Sequence, residues 1–169
     1  AASGVWNLQD QFDYVRGGNW PNAANLAATG IFHAGYASAT NTLDQLLIAS
    51  AGNTTDWGDL TLSRYEDAGA SNSIRGLFAG GTNSGNSKVN TVDFIVFATA
   101  GNALDFGDLG NTSSTSAGVS NSTRAVFTGS IGGTSDNRME YFTIASAGNA
   151  TDFGDQSVTR YQLGGCQSS

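Results

Sequence analysis

Residues 50–59 read SAGNTTDWGD, and this phrase returns as TAGNALDFGD at 99–108 and as SAGNATDFGD at 146–155. The first two copies are 49 residues apart, and the last two are 47 residues apart. A period in this range is typical of repeat architectures, in which similar units stack or form a ring. The phrase therefore predicts three related structural units, and we interpret it as a loop that recurs once in each unit.

The similarity between the units extends beyond the phrase. Each copy is preceded by an Asn-x-apolar-acid stretch and then by an apolar run. The stretches occupy 41–44, 90–93 and 137–140, and the runs occupy 45–48, 94–97 and 141–144. We divide the chain into an N-terminal segment and linker (1–29) and a three-repeat β domain (30–73, 74–122 and 123–169).

Every unit has the pattern of an all-β fold. The apolar runs are short, rich in aromatic and β-branched residues and bounded by Gly and Asn, which predicts strands. The glycine-flanked segments at 31–32, 77–78 and 126–127 predict a second strand in each unit, and further strands are expected near 60–65 and 68–73. Residues two apart share a face of a strand. The expected core residues are Leu46, Ile48, Ile95, Phe97, Phe142 and Ile144.

The N-terminal segment has a different pattern. Leu8, Phe12 and Val15 stand at the i, i+4 and i+7 spacing of a short amphipathic helix. A helix of about ten residues is unstable alone and needs a surface to pack on. That surface is either the chain's own repeat domain or another protein. We expect the second, with docking through Trp6, Leu8, Phe12, Trp20 and Pro21.

Composition excludes several classes of protein. The net charge is −7, and Lys88 is the only lysine, so neither a nucleic acid nor an anionic membrane is an expected partner. No apolar run approaches the roughly 18 residues of a membrane span. One cysteine and one histidine exclude an intrachain disulfide and disfavour a zinc site.

The aspartates of the repeated phrase are candidate site residues. Carboxylates and loop carbonyls suit calcium, but Asp side chains also cap turns through backbone amides. We favour the structural interpretation, expect no cofactor, and leave calcium or glycan binding open. These candidates are Asp56, Trp57, Asp59, Asp105, Phe106, Asp108, Asp152, Phe153 and Asp155.

No pattern indicates an enzyme. His33 is the only possible imidazole base, and we expect it to be a strand residue because Ala79 and Thr128 take its place in the other units. Glu66 and Asp67 are adjacent, so on a strand they point to opposite faces and make a poor acid–base pair.

The units resemble kelch repeats. Each has a small-aromatic strand, a variable loop, an apolar strand and an aromatic loop, and kelch blades are four-stranded sheets around a central axis. The glycine doublet Gly80-Gly81 is in place only in the middle unit, and Phe replaces the usual tryptophan in two units. The resemblance implies a β-propeller or a β-prism-like assembly.

The chain also resembles repeat-containing structural and tail-associated proteins of tailed bacteriophages, notably of marine phages and cyanophages. The phrase at 148–155 is similar to their repeats, and residues 4–11 with 18–21 are similar to a segment of tail-associated proteins. The resemblance implies a non-enzymatic structural protein of the virion, an extracellular particle. Its role would be in a tail, tail fiber or surface appendage, in assembly or host attachment.

Two further functions stay open at this stage. A carbohydrate-binding, lectin-like module would use Trp57, Phe106 and Phe153 against a host surface glycan, provided that these rings are exposed. A capsid decoration protein is the other alternative. The expected partners are other virion proteins and further copies of the chain, because three repeats are fewer than the roughly four to eight blades of a propeller. A dimer with six blades and a trimer are both compatible with the sequence.

Overall fold

The computed structural model describes residues 28–33, 38–130, 136–160 and 163–168. The described residues form eleven strands and no helix, which confirms the all-β prediction. The expected N-terminal helix lies outside them. The strands are β1 (Thr29–Phe32), β2 (Thr40–Leu47), β3 (Thr55–Tyr65), β4 (Ala68–Ser71), β5 (Arg75–Ala79), β6 (Thr82–Asn83), β7 (Val89–Val96), β8 (Thr99–Ser120), β9 (Arg124–Ser130), β10 (Asp136–Thr143) and β11 (Thr151–Arg160).

The strands form three antiparallel sheets of four strands each. The first sheet has the order β1-β2-β3-β6. The second has the order β4-β5-β7-β8, and the third has the order β8-β9-β10-β11. Within the described residues these sheets do not close a propeller ring.

Strand β8 belongs to two sheets. Its 22 residues pair with β7 as far as Ser113 and with β9 from Ser114 onward. The first repeat divides the same stretch into β3, in the first sheet, and β4, which pairs with β5 in the second. The last strand segment of the first repeat and that of the second thus each begin the next sheet.

The second half of the repeated phrase is strand in all three copies, which corrects the loop interpretation in part: only its first half, at 50–54 and 146–150, lies outside the strands. Its aromatic residue is the extra residue of a β-bulge, because Leu43 pairs with Gly58 whereas Asp44 pairs with Asp56, so that Trp57 has no partner. Phe106 and Phe153 are skipped in the same way. The glycine that follows has a φ between +123° and +145° in all three copies, a conformation that only glycine adopts readily.

Apolar side chains from consecutive sheets form two cores. The core between the first and second sheets contains Leu43, Trp57, Leu60, Phe78, Ile95 and Ala103. The core between the second and third sheets contains Ala68, Leu77, Ala79, Val92, Phe106, Leu109, Ala125, Phe127, Phe142 and Ile144. The second sheet therefore buries both of its faces, one against the first sheet and one against the third.

This arrangement buries some of the expected core residues and leaves others exposed. Ile95, Phe142 and Ile144 are buried as predicted, and Phe97 packs at the edge of its cluster. The prediction for Ile48 is wrong, since this side chain is 66% exposed, and Leu46 is only partly buried. The reason is that the expected core residues of each apolar run face the preceding sheet. Within the described residues, no sheet precedes the first.

Candidate functional site

Consecutive repeats are joined by a bond between an asparagine and a backbone amide. The amide of Asp59 donates to Asn102 Oδ1 at 3.1 Å, and the amide of Asp108 donates to Asn149 Oδ1 at 3.1 Å. The asparagine and the aspartate are the same two residues of the phrase in both cases. The phrase of one repeat is therefore held by the phrase of the next, and we call the whole contact a junction.

The acid of the Asn-x-apolar-acid stretch makes a second bond at each junction. Asp93 Oδ2 accepts from the amide of Thr61 at 3.2 Å, and Glu140 Oε1 accepts from the amide of Gly110 at 3.1 Å. Thr61 and Gly110 occupy equivalent positions, two residues after the phrase. At both junctions, the acid of this stretch thus accepts a hydrogen bond from a backbone amide of the preceding repeat.

Backbone contacts complete the junctions. A Cβ on Gly58 would lie 2.6 Å from the carbonyl carbon of Gly101, and one on Gly107 would overlap Gly148. The amide of Gly148 donates to the carbonyl of Phe106 at 2.7 Å, and the amide of Ala150 donates to the carbonyl of Asp108 at 2.8 Å. The glycines of the phrase thus permit both the bulge and the close approach of the next repeat.

A further contact between repeats lies at the ends of the crossing strands. The Ser120 hydroxyl accepts from the amide of Ser71 at 3.2 Å and donates to the Ser71 carbonyl at 2.6 Å. Gln167 Oε1 accepts from the backbone amide of Ser120 at 2.5 Å. These three residues are equivalent positions of three repeats, so the repeats are tied at two separate places.

The junction between the first two repeats also buries an ion pair. Arg64 Nη2 lies 3.1 Å from Asp93 Oδ2, and both side chains are fully buried. Asp93 also accepts from the Thr61 hydroxyl at 2.6 Å, while Arg64 donates to the Phe78 carbonyl at 3.0 Å. Nε and Nη1 of Arg64 have no hydrogen-bond partner among the described residues. An unsatisfied buried guanidinium makes this site sensitive to loss of its carboxylate.

His33 lies one residue past β1, which corrects its expected place within a strand. Its Nδ1 is 2.6 Å from Asp67 Oδ1, and its Nε2 is 2.9 Å from the carbonyl oxygen of Thr40. Glu66 instead accepts from the Thr82 hydroxyl at 3.4 Å. The imidazole ring of His33 thus links the end of β1 to the start of β2 and to the turn before β4. The adjacent acids Glu66 and Asp67 bond to different residues, Thr82 and His33.

The candidate residues of the phrase do not converge on one point. Trp57 is 7% exposed and Phe106 is 2% exposed, whereas Phe153 is 47% exposed. Asp56 and Asp152 accept from the amides of Gly58 and Gly154, two residues further on. Among the described residues, no three His, Cys, Asp or Glu side chains lie close enough to hold a metal ion. The docking residues Trp6, Leu8, Phe12, Trp20 and Pro21 lie outside the described residues and remain a prediction.

Two open grooves lie on the surface of the described residues. One, of roughly 270 Å³, lies on the first sheet and is lined by Gln45, Leu46, Leu47, Ser50, Gly52, Asn53 and Thr55. The other, of roughly 340 Å³, lies beside the Ser71, Ser120 and Gln167 contacts. The first groove includes Leu46, Gly52 and Asn53, whose equivalents in the second repeat, Ile95, Gly101 and Asn102, contact the first repeat.

Comparison with known proteins does not assign the chain to a family. The sequence matches no protein-family model, and no curated protein is similar to it. No helix in the described part of the chain is long and apolar enough to cross a membrane.

We expect Asn149→Ala to lower the free energy of unfolding by about 1 kcal/mol, because it removes the acceptor for the Asp108 amide. Asn53→Ala is the matched control, since Asn53 is exposed and bonds to no other repeat within the described residues. Its effect should be within about 0.5 kcal/mol. Urea unfolding at low protein concentration measures both changes, and equal losses would contradict the assignment of Asn149 to a junction.

Proposed function

We propose that the chain is a non-enzymatic structural protein of a bacteriophage virion, in a tail or a surface appendage. The observation that carries the proposal is the repeated junction, in which the same residues of the phrase join the repeats twice. The most similar parts of the units thus have a structural role. The sequence resemblance to tail-associated repeat proteins supplies the virion context, with other virion proteins as partners and assembly or host attachment as the role.

The proposal includes kelch-like blades and a homo-oligomer. The three sheets are four-stranded and antiparallel, and successive sheets share apolar cores. These features agree with consecutive blades of a β-propeller, and a β-prism-like trimer is the rival arrangement. In either arrangement, copies of the chain would associate through their sheets.

Immunogold labelling of purified virions tests this proposal. Particles whose genome encodes the chain are labelled with an antibody raised against residues 28–168, and particles from a deletion mutant serve as the control. Gold on the tail or its appendages is the expected result. Gold spread over the capsid would favour a decoration protein, and particles without gold would contradict a virion role.

Carbohydrate binding is a weaker alternative on this structure. It requires exposed aromatic rings, and two of the three candidates are buried. Phe153 remains, and its ring packs against Tyr141 at a centroid distance of 6.0 Å. We expect no binding on a glycan array, with or without calcium. Binding that Phe153→Ala abolishes would instead establish the lectin-like function.

A further inference from the structure

The two ends of the stack of sheets expose side chains whose equivalents are buried at the junctions. On the first sheet, Ile48 is 66% exposed, whereas its equivalent Ile144 is 0% exposed. On the third sheet, Phe153 is 47% exposed, whereas Phe106 is 2% exposed. We call the first surface the leading face (Asp44, Ile48 and 52–54) and the second the trailing face (Phe153–Asp155 and Ser157).

The leading face carries the acceptors of a junction without their donors. Asn53 is equivalent to Asn102 and Asn149, and Asp44 is equivalent to Asp93 and Glu140. Both Asn53 and Asp44 are exposed, and within the described residues neither side chain accepts a bond from another repeat. The groove of roughly 270 Å³ opens beside them and includes Leu46.

The trailing face carries the complementary donors. The amide of Asp155 is equivalent to those of Asp59 and Asp108, and the amide of Ser157 is equivalent to those of Thr61 and Gly110. Asp155 and Ser157 are exposed, and no asparagine or acid of another described repeat reaches their amides. Each donor on this face has its acceptor on the leading face.

The backbone of the trailing face is also shaped for a junction. Gly154 keeps the bulge conformation with a φ of +123°. A Cβ placed on it would meet no described residue within 4 Å, although the equivalent atoms on Gly58 and Gly107 would collide with the next repeat. Among the described residues, nothing occupies the space at Gly154 that Gly101 and Gly148 fill at the internal junctions.

We propose that the trailing face of one copy binds the leading face of a second copy and repeats the internal junction between chains. Phe153 enters the groove beside Leu46, and Asn53 and Asp44 accept from the amides of Asp155 and Ser157. A second copy is the occupant because the chain itself supplies both halves of the contact. Head-to-tail contacts of this kind close into rings or extend as filaments.

This inference deepens the homo-oligomer part of the proposed function and rests on that part alone. If the chain does not assemble in solution, the proposed interface is wrong, whereas the virion role is still decided by the labelling experiment. Particles without gold would contradict the virion role but leave the interface standing.

Complementation between two arginine variants of the full chain tests the proposal. Ile48→Arg blocks the leading face, and Phe153→Arg blocks the trailing face. Leu104→Arg is the matched control, since Leu104 is 63% exposed but lies on the middle repeat. Light scattering after size exclusion gives the mass of each species, and circular dichroism shows that each variant is folded.

We expect the unmodified chain and Leu104→Arg to form the same oligomer and each end variant to be monomeric. An equal mixture of the end variants should give a one-to-one dimer and nothing larger, because one intact junction remains. The double variant Asp44→Ala/Asn53→Ala, which changes only exposed polar groups, should weaken association about tenfold or more.

Several outcomes would overturn the proposal. The unmodified chain could be monomeric at its highest soluble concentration, as it would be if residues 1–27 covered the leading face. One end variant could assemble like the unmodified chain, as a symmetric contact between two like faces would allow. A mixture that stays monomeric, or an unchanged affinity of the Asp44→Ala/Asn53→Ala variant, would overturn it as well.

Discussion

Replacing Phe106 with alanine is expected to lower the free energy of unfolding by about 3–5 kcal/mol. The ring is 2% exposed, and its centroid lies 5.5 Å from that of Phe94 and 5.7 Å from that of Phe142. The substitution leaves a cavity in the core between the second and third sheets. Urea unfolding followed by circular dichroism measures the loss.

Phe153→Ala provides the matched control for this prediction. It removes the same side chain from the same bulge position of the third repeat, where the ring is 47% exposed. We expect a loss below about 1 kcal/mol at low protein concentration. Similar losses in the two variants would show that burial between sheets does not distinguish the repeats.

Asp93→Ala is expected to have a comparably large effect, about 3–5 kcal/mol, because it leaves the buried Arg64 guanidinium without its carboxylate. The amide and hydroxyl of Thr61 lose their acceptor in the same variant. Thermal and urea unfolding both report the loss.

The double variant Arg64→Met/Asp93→Leu separates the cost of an unpaired charge from the cost of lost packing. Apolar side chains of similar volume often replace a buried ion pair at little cost. We therefore expect the double variant to be more stable than Asp93→Ala. A double variant no more stable than Asp93→Ala would contradict this expectation, because the apolar pair would then not compensate for the loss of the ion pair.

The strands could be predicted because periodicity and composition are local properties. The runs near Ile95 and Phe142 lie within β7 and β10, and the weak pattern after Asp67 corresponds to β4. The bulge could not be predicted, because Asp and Gly at Asp56-Trp57-Gly58 favour a tight turn as well. The choice between the two depends on pairing with β2, which is a tertiary contact.

The error at Ile48 has a different physical origin. Alternation assigns a side chain to a face of a strand, but it does not show whether another sheet covers that face. The sequence did not predict the Arg64–Asp93 pair either. Arg160 repeats the arginine in the third unit, but Ser113 takes its place in the second, so the arginine does not recur in all three units as the acid does. The acid at Asp44, Asp93 and Glu140 was the available signal, because a carboxylate that recurs in an apolar strand indicates a conserved bonding role within the units.

Strand β8 gives the molecule a path for mechanical load. Tension applied to the second sheet passes to the third through continuous strand backbone, with no flexible loop between them. The hydrogen bonds on either side run across that strand, so a pull along it loads many of them in shear at once. An appendage built from such sheets would resist stretching along its length. It would extend only when a whole row of these hydrogen bonds breaks at the same time.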